Sequence, residues 1–274
     1  MSKKNLAMSV SIAIFAIYLL IALFAPLLTP YDPFIIAGGI YEEPSPEHLL
    51  GTNDLAQDIF SQLIYGTRAT LLLGFTGAIL SVSIGTAIGI VSGYYGGRVD
   101  EFITRTLDIV MTIPTFPLLL VMMMFFTPGI YVTGILMGLL GSARGVRVIR
   151  SQVLSIAQMN FITGVKVMGA SDLYVMAKHV LPNLLSLVTV QFVFSAQHFM
   201  VMGIGLGFLG LGDSNVIDWG QMIDRAYQNG GVINGLWWWL IPPGMAVTFL
   251  SLSLALFGYS MEDEINPRMK LTRI

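Results

Sequence analysis

The sequence predicts an all-α, polytopic membrane protein with six transmembrane helices, N- and C-termini in the cytoplasm, and one long cytoplasmic loop between spans four and five. Three observations carry that prediction. Of 274 residues, 55% are hydrophobic and 11% charged, less than half the roughly 25% charge of a soluble domain, and the mean hydropathy is +0.76. Six stretches hold the roughly 20 apolar residues a helix needs to cross a hydrocarbon core of about 30 Å. With the N-terminus placed inside, 12 of the 14 Lys and Arg residues fall at or near the cytoplasmic side, and only Arg68 and Arg225 fall outside. Cytoplasmic loops are enriched in basic residues in this way.

The first span, 6–28, follows Lys3 and Lys4. Those lysines resemble the charged start of a signal peptide. The apolar run exceeds the roughly 7–15 residues of such a leader, so a retained anchor is expected. The second span covers 69–94 and the third 102–126. In the third, Met122, Met123 and Met124 cover successive faces and read as packing residues. Asp108 stands one turn from Arg105, a spacing for a local ion pair. The fourth span, 129–147, ends among Arg144, Arg147 and Arg150, read as anchors at lipid headgroups or as contacts to a cytoplasmic partner. The fifth span is 184–211 and the sixth 238–260. Trp237, Trp238 and Trp239 read as an interfacial belt. The 29 glycines suit helices that pack closely in lipid.

Three hydrophilic stretches remain within one membrane domain, 1–274, that shows no internal repeat. Residues 29–68 are external and open with TPYDP, where Pro30 and Pro33 prevent helix continuation. Residues 213–237 are also external. Residues 151–183 form the long cytoplasmic piece. There Val165, Met168, Leu173, Met176, Ala177 and Val180 recur at helical spacing. Gly169 interrupts, Ser171-Asp172 offers a helix start, and Pro182 closes the piece before the fifth span. Two short helices meeting at a tight glycine turn are expected. They form either a self-packed interfacial element or a docking surface for a cytoplasmic partner.

The stretch MGASDLYVMAKHVLPN resembles the cytoplasmic loop of ABC importer permeases, with Gly169 at the motif glycine and His179, Pro182 and Asn183 in an ending similar to the peptide/nickel branch. HLLGTNDLAQDIFSQLIYGTRATLLLG (His48 to Gly74), GYYGGRVDE, FLGLG, WGQMI and NPRMK follow in the family's order. Over nearly the whole chain the sequence is similar to the second, C-type permease of dipeptide, oligopeptide and nickel importers. The resemblance implies a multi-pass protein of the prokaryotic plasma (inner) membrane. It implies a homologous permease as heterodimer partner, two cytoplasmic P-loop ATPases that bind ATP and Mg, and an external substrate-binding protein. It makes 151–183 the coupling loop and assigns ATPase coupling to Thr163, Gly164, Gly169, Ala170, Ser171, Asp172, His179, Pro182 and Asn183. Two departures stand out. Thr163, Gly164 and Val165 replace the family's Glu-Ala-Ala, and Ala56-Gln57-Asp58 replaces Gly-Arg-Asp. With Gln62 also in place of an Arg, two basic residues expected to face the binding protein are lost.

The chain's own chemistry is sparse. No cysteine occurs, which excludes disulfides and thiolate sites. No G-x-x-x-x-G-K-[ST] stretch cradles a phosphate, and no H-E-x-x-H pair or G-x-S-x-G elbow appears. An enzyme is not expected, nor a cofactor bound by this chain. A net charge of −2 gives no argument for nucleic acid, and none is expected. In the fifth span Gln191, Ser195, His198 and Met202 recur at i, i+4, i+7 and i+11 and share a helix face. Polar groups facing lipid would be left unsatisfied. The stripe is therefore either interhelical glue or the lining of a pathway. Imidazole and thioether suit transition metals, so His198 and Met202 form a candidate transient metal station. HFMVMGIGLGFLGLG is similar to the His-Met-rich stretch of nickel-type members, and Gly203 stands where peptide-type members have Glu. The expected substrate is nickel or another transition metal, free or chelated, with a di- or oligopeptide as the alternative. A non-transporting scaffold and an ion channel are more distant readings.

Overall fold

The structure is a computed structural model that describes residues 3–265. The NPRMK motif, with Arg268 and Lys270, and also Arg273 lie outside the described residues, as do the side chains of Lys3 and Lys4. Among the described residues all regular structure is helical, apart from one isolated bridge between Thr52 and Asp58. Helix α1 is Lys3–Leu23 and α2 Ala25–Leu28. Helix α3 is Ile59–Tyr95, α4 Gly97–Thr112, α5 Thr115–Met123, α6 Ile130–Ala157 and α7 Asn160–Val167. After α8 (Asp172–Val175) and a π turn come α9 (Leu181–Phe208), α10 (Trp219–Gln228) and α11 (Trp237–Ile265).

Among the described residues, four helices are long and apolar enough to cross a membrane: α3, α6, the continuous run 172–208, and α11. A fifth crossing follows if α4 and α5 are one span. They bend by 74° at their junction, so the third span is not the single helix that the sequence predicts. Pro114 accounts for the break. Proline disfavours helical backbone in the residue before it, and Ile113 is extended at φ −88°, ψ 124°. The apolar part of α1, Met8–Leu23, is shorter than the other four.

The core is built on α3 and α6, which pack along each other, with α9 against both. Small residues set the spacing. A methyl group on Gly85 would lie 3.3 Å from the Gly145 backbone, and one on Gly93 would lie 2.9 Å from the Arg150 carbonyl. Backbones can approach this closely only where side chains are absent. Ala78, Met137, Ala196, Phe199, Met200, Trp219 and Trp239 share the main apolar cluster. A second cluster, around Ile149, Val153, Ile162, Val175, Val180 and Leu184, ties 158–180 to the bundle.

One end of the bundle carries residues 29–58, α10 and the start of α11. The other carries the α3–α4 turn and the α7–α8 knuckle. At the α3–α4 turn Gly96 and Gly97 both have positive φ, +62° and +51°, a backbone that side-chain-bearing residues resist. Asp100 then fastens the turn to α6 by accepting two bonds from the Arg150 guanidinium and one from the Ser92 hydroxyl (2.5 Å). Arg147 pairs with Asp108, and Arg105 pairs with Glu101 at 2.5 Å instead of with Asp108. Helix α6 runs ten residues past Arg147, to Ala157. The arginine series therefore lies along the middle and lower part of a helix rather than at its end.

Candidate functional site

A cleft of about 390 Å³ opens between α6, α9, the start of α5 and the end of α11. Helix α9 supplies Gln191, Ser195 and His198. Helix α6 supplies Arg144, α5 Thr115, and α11 Glu262. His198 and Arg144 are exposed in the single chain. Gln197, one position away, instead donates to the Ser251 hydroxyl of α11 at 2.9 Å. The α9 face thus divides its polar groups by angle. Gln197 ties the helix to its neighbour, and Gln191, Ser195 and His198 line the cleft.

Met202 shares the face but not the cleft. It packs, partly buried, against the main apolar cluster. Phe116 comes within 3.7 Å of a methyl built on Gly205, and Leu119 and Met123 are fully buried there. His198 and Met202 therefore have different surroundings. Among the described residues no three His, Cys, Asp or Glu side chains are grouped to hold a metal ion. The three methionines of this region divide by angle, Met123 inward and Met124 79% exposed.

The second candidate region is the knuckle. Helix α7 ends at Val167, and Gly169 turns the chain at φ +87° with open space where a Cβ would stand. Ser171 caps α8, its Oγ accepting from the Tyr174 amide at 3.4 Å. Asp172 accepts from the Tyr94 hydroxyl at 2.7 Å, while Lys166 sits 4.0 Å over the same ring. Tyr94, at the end of α3, thus clasps both arms of the knuckle. Thr163 and Gly164 are exposed on α7, and Ala170 packs on the second cluster.

Pro182 does not close the second helix. The chain runs from Asp172 to Phe208 without interruption. Proline removes a backbone donor and crowds the carbonyl four residues back. The Met176–Val180 segment relieves this by widening into a π turn, in which the Leu181 amide bonds the Met176 carbonyl. Asn183 donates its side-chain amide to the His179 carbonyl at 2.7 Å. The His179, Pro182 and Asn183 positions are thus parts of one local device that carries a proline through a helix.

Of the apolar residues that mark this region in sequence, only some are covered. Val180 is buried, together with Ile162 and Val175, which are not among the six residues at helical spacing. Met168 (79%) and Leu173 (73%) are exposed, beside Val167 (82%) and Tyr174. Three large apolar side chains, with Tyr174 half exposed beside them against the His179 ring, therefore stand open around the Gly169 turn among the described residues.

At the opposite end the segment 29–58 folds on a polar core that the sequence reading did not anticipate. Asp58 caps α3 by accepting from the Ser61 amide (2.8 Å) and hydroxyl (2.7 Å), and its other oxygen accepts from His48 Nδ1 at 3.0 Å. Gln57 and Gln62 point inward. Gln57 donates to the Phe34 carbonyl, Gln62 to the Pro33 carbonyl and to Gln57, and Asn53 donates to both. These two positions therefore do not face a partner. Trp219 at the start of α10 donates to the Leu63 carbonyl at 3.0 Å and packs where Gly66 leaves room. Asp218 caps α10 by accepting from the Gln221 amide at 2.9 Å. Burial raises its carboxyl pKa from 3.8 to about 6 against those hydrogen bonds.

Residues 85–271 match the family described as the binding-protein-dependent transport system inner membrane component, and residues 2–50 match the N-terminal TM domain of oligopeptide transport permease C. A dipeptide transport system permease protein of Haemophilus influenzae is 31% identical over 98% of this chain and 92% of its own length. One from Alkalihalophilus pseudofirmus is 31% identical over 98% of this chain and 88% of its own. A probable D,D-dipeptide transport system permease of Escherichia coli is 29% identical over 94% and 86%.

Proposed function

We propose that this chain, which belongs to the inner membrane components of binding-protein-dependent transport systems, forms half of the pathway of an ATP-driven peptide importer. The reading takes α1 as the sixth crossing and both chain ends as cytoplasmic. The knuckle then faces the cytoplasm, and 29–58 and α10 face outside. The observation that carries it is the cleft. Its wall of Gln191, Ser195, His198, Arg144 and Thr115 would be unsatisfied in hydrocarbon. A second, homologous permease covering that wall turns a polar liability into a water-lined path.

Peptide fits the cleft better than a metal ion. About 390 Å³ lies in the range of small-molecule sites, roughly 300–1,000 Å³. Met202, the softer half of the expected metal station, is packed away from His198, and a guanidinium in the same wall opposes a divalent cation. The three relatives named above carry dipeptide in their names. ATP and Mg belong to separate ATPase subunits, which dock on the exposed Val167, Met168, Leu173 and Tyr174 around Gly169. The Tyr94 clasp then passes their movement to α3.

The test is uptake by cells carrying the whole transporter, with labelled dialanine and radioactive nickel in parallel. Dialanine should enter and nickel should not. Leu173→Asp should abolish uptake and release the ATPases on purification, while the permease pair persists. Nickel uptake without dialanine uptake would reverse the substrate assignment. Full dialanine uptake by Leu173→Asp would remove the knuckle as the docking point.

A further inference from the structure

Helix α6 carries three arginines at i, i+3 and i+6, and they differ in one respect. Arg150 is neutralised by Asp100 and Arg147 by Asp108. Arg144 has no carboxylate within 4 Å among the described residues. It lies fourteen residues from Ile130 and thirteen from Ala157, halfway along a helix of about 42 Å at 1.5 Å per residue. A charged side chain at that depth is costly and faces a wet cavity or a partner. Arg144 meets the first condition, since it lines the cleft with Gln191, Ser195 and His198.

The neighbours of Arg144 favour a ligand over a permanent partner. A methyl on Gly145 would lie 3.3 Å from the Gln191 amide oxygen, so Gln191 sits on α9 at the height of Arg144. A guanidinium and a carboxamide at one level present a cation beside a neutral donor and acceptor. This suits a carboxylate next to a peptide bond, since guanidinium binds carboxylate in a two-pronged way and its charge does not titrate. Glu262 lies at another edge of the same cleft and gives it an opposite pole.

Resting on the peptide reading above, we infer that Arg144 is the station for the free C-terminal carboxylate of the peptide in transit, with Gln191 beside it for the last peptide bond. This makes the pathway itself selective for peptides with an unblocked C-terminus. A peptide amide would keep its cationic amine and lose its anion, and Arg144 would repel it.

The experiment reads binding to the assembled permease–ATPase complex without its external binding protein, so that the latter's selectivity does not enter. Saturation-transfer NMR with millimolar dialanine and dialanine amide reports both ligands on the detergent-solubilised complex. Wild type should bind the acid about tenfold more tightly than the amide, the size of one charge-assisted contact. Arg144→Gln should erase that preference by weakening the acid while binding the amide at least as well as wild type does, and Arg144→Lys should retain most of it. Equal binding of acid and amide by wild type would overturn the inference, as would no binding of either, or a preference that survives Arg144→Gln. An Arg144→Gln complex that fails to assemble while Arg144→Lys assembles would also overturn it, and would assign Arg144 to a carboxylate of the partner permease. Dialanine uptake by cells that persists alongside any of these results would leave the peptide function standing and remove only the station.

Discussion

At one end of the bundle, residues 48–62 bury a cluster of polar side chains against one another. At the other, residues 158–180 leave apolar side chains in the open. His48, Asn53, Asp58, Ser61 and Gln62 are all at most 3% exposed, and their polar atoms meet each other or nearby carbonyls. Val167, Met168 and Leu173 are all above 70% exposed. A membrane protein needs no hydrogen-bonded core to hold its spans together, because the bilayer enforces them. On the function proposed above, the polar end has to hold its own shape in water and the knuckle has to hold a partner. On that proposal the difference separates a part of the chain that folds by itself from a part that assembly completes.

That contrast predicts opposite outcomes for single substitutions at the two ends. Asp58→Ala removes the cap of α3 and the buried partner of His48 in one step. Loss of a buried, charge-assisted cluster of this kind costs about 4 kcal/mol. The thermal unfolding midpoint of the purified permease should fall by many degrees. Leu173→Asp adds a charge to a side chain already in water and should leave that midpoint unchanged, although it abolishes uptake. Equal destabilisation by both would mean that the knuckle is packed, and the comparison would fail.

A smaller effect sharpens the account of the polar end. Asp218 is buried in a place that penalises its ionised form, with its pKa raised from 3.8 to about 6. A carboxyl whose folded pKa is raised holds its proton more tightly folded than unfolded. Its contribution is therefore fully present below pH 3.8 and is lost as pH rises through about 6. Stability should drop by about 2 to 3 kcal/mol across that window and level off above it. Other acids titrate nearby, so the informative quantity is the difference between wild type and Asp218→Asn. That difference should change between pH 4 and 7 and be flat above. A difference that stays constant throughout would place the Asp218 carboxyl in an ordinary, solvated setting.

How far the sequence could be read follows from the same physics. Long apolar runs announce α3, α6, α9 and α11, because length and hydropathy are local quantities. The Gly169 turn and the Ser171 cap were legible for the same reason, since each acts within a few residues. What escaped were effects that need a neighbour. Gln57 and Gln62 look like surface residues until Pro33 and Phe34 are seen to offer carbonyls from a distant strand of chain. Pro182 looks like a stop until the π turn and Asn183 are seen to carry the helix past it. Met202 shares a helical face with His198, and only the fold reveals that Met202 packs on the main apolar cluster while His198 lines the cleft. Arg144 reads as an anchor from sequence because nothing there shows that helix α6 continues ten residues past Arg147. A run of arginines reads as a membrane edge unless Asp100 and Asp108, on another helix, are known to neutralise two of them.

The smallest prediction concerns a single strained residue in the polar end. Ala56 has φ +58°, in the left-handed region that costs an L-residue roughly 1–2 kcal/mol. The turn is fixed by its surroundings. Asn53 Oδ1 accepts from the amides of Leu55 and Gln57, and the Ala56 carbonyl accepts from Ala37. The resemblance to peptide permeases places a glycine at this position. Ala56→Gly should therefore relieve the strain, offset in part by the greater freedom of glycine in the unfolded chain, for a net gain of about 1 kcal/mol. A gain in the unfolding midpoint, with uptake unchanged, would show that the network around Asn53 imposes the turn and Ala56 yields to it. A loss would mean that the Ala56 methyl, 5% exposed as a residue, contributes more by packing than its backbone costs, and that the polar end is held by apolar contacts more than by its hydrogen bonds.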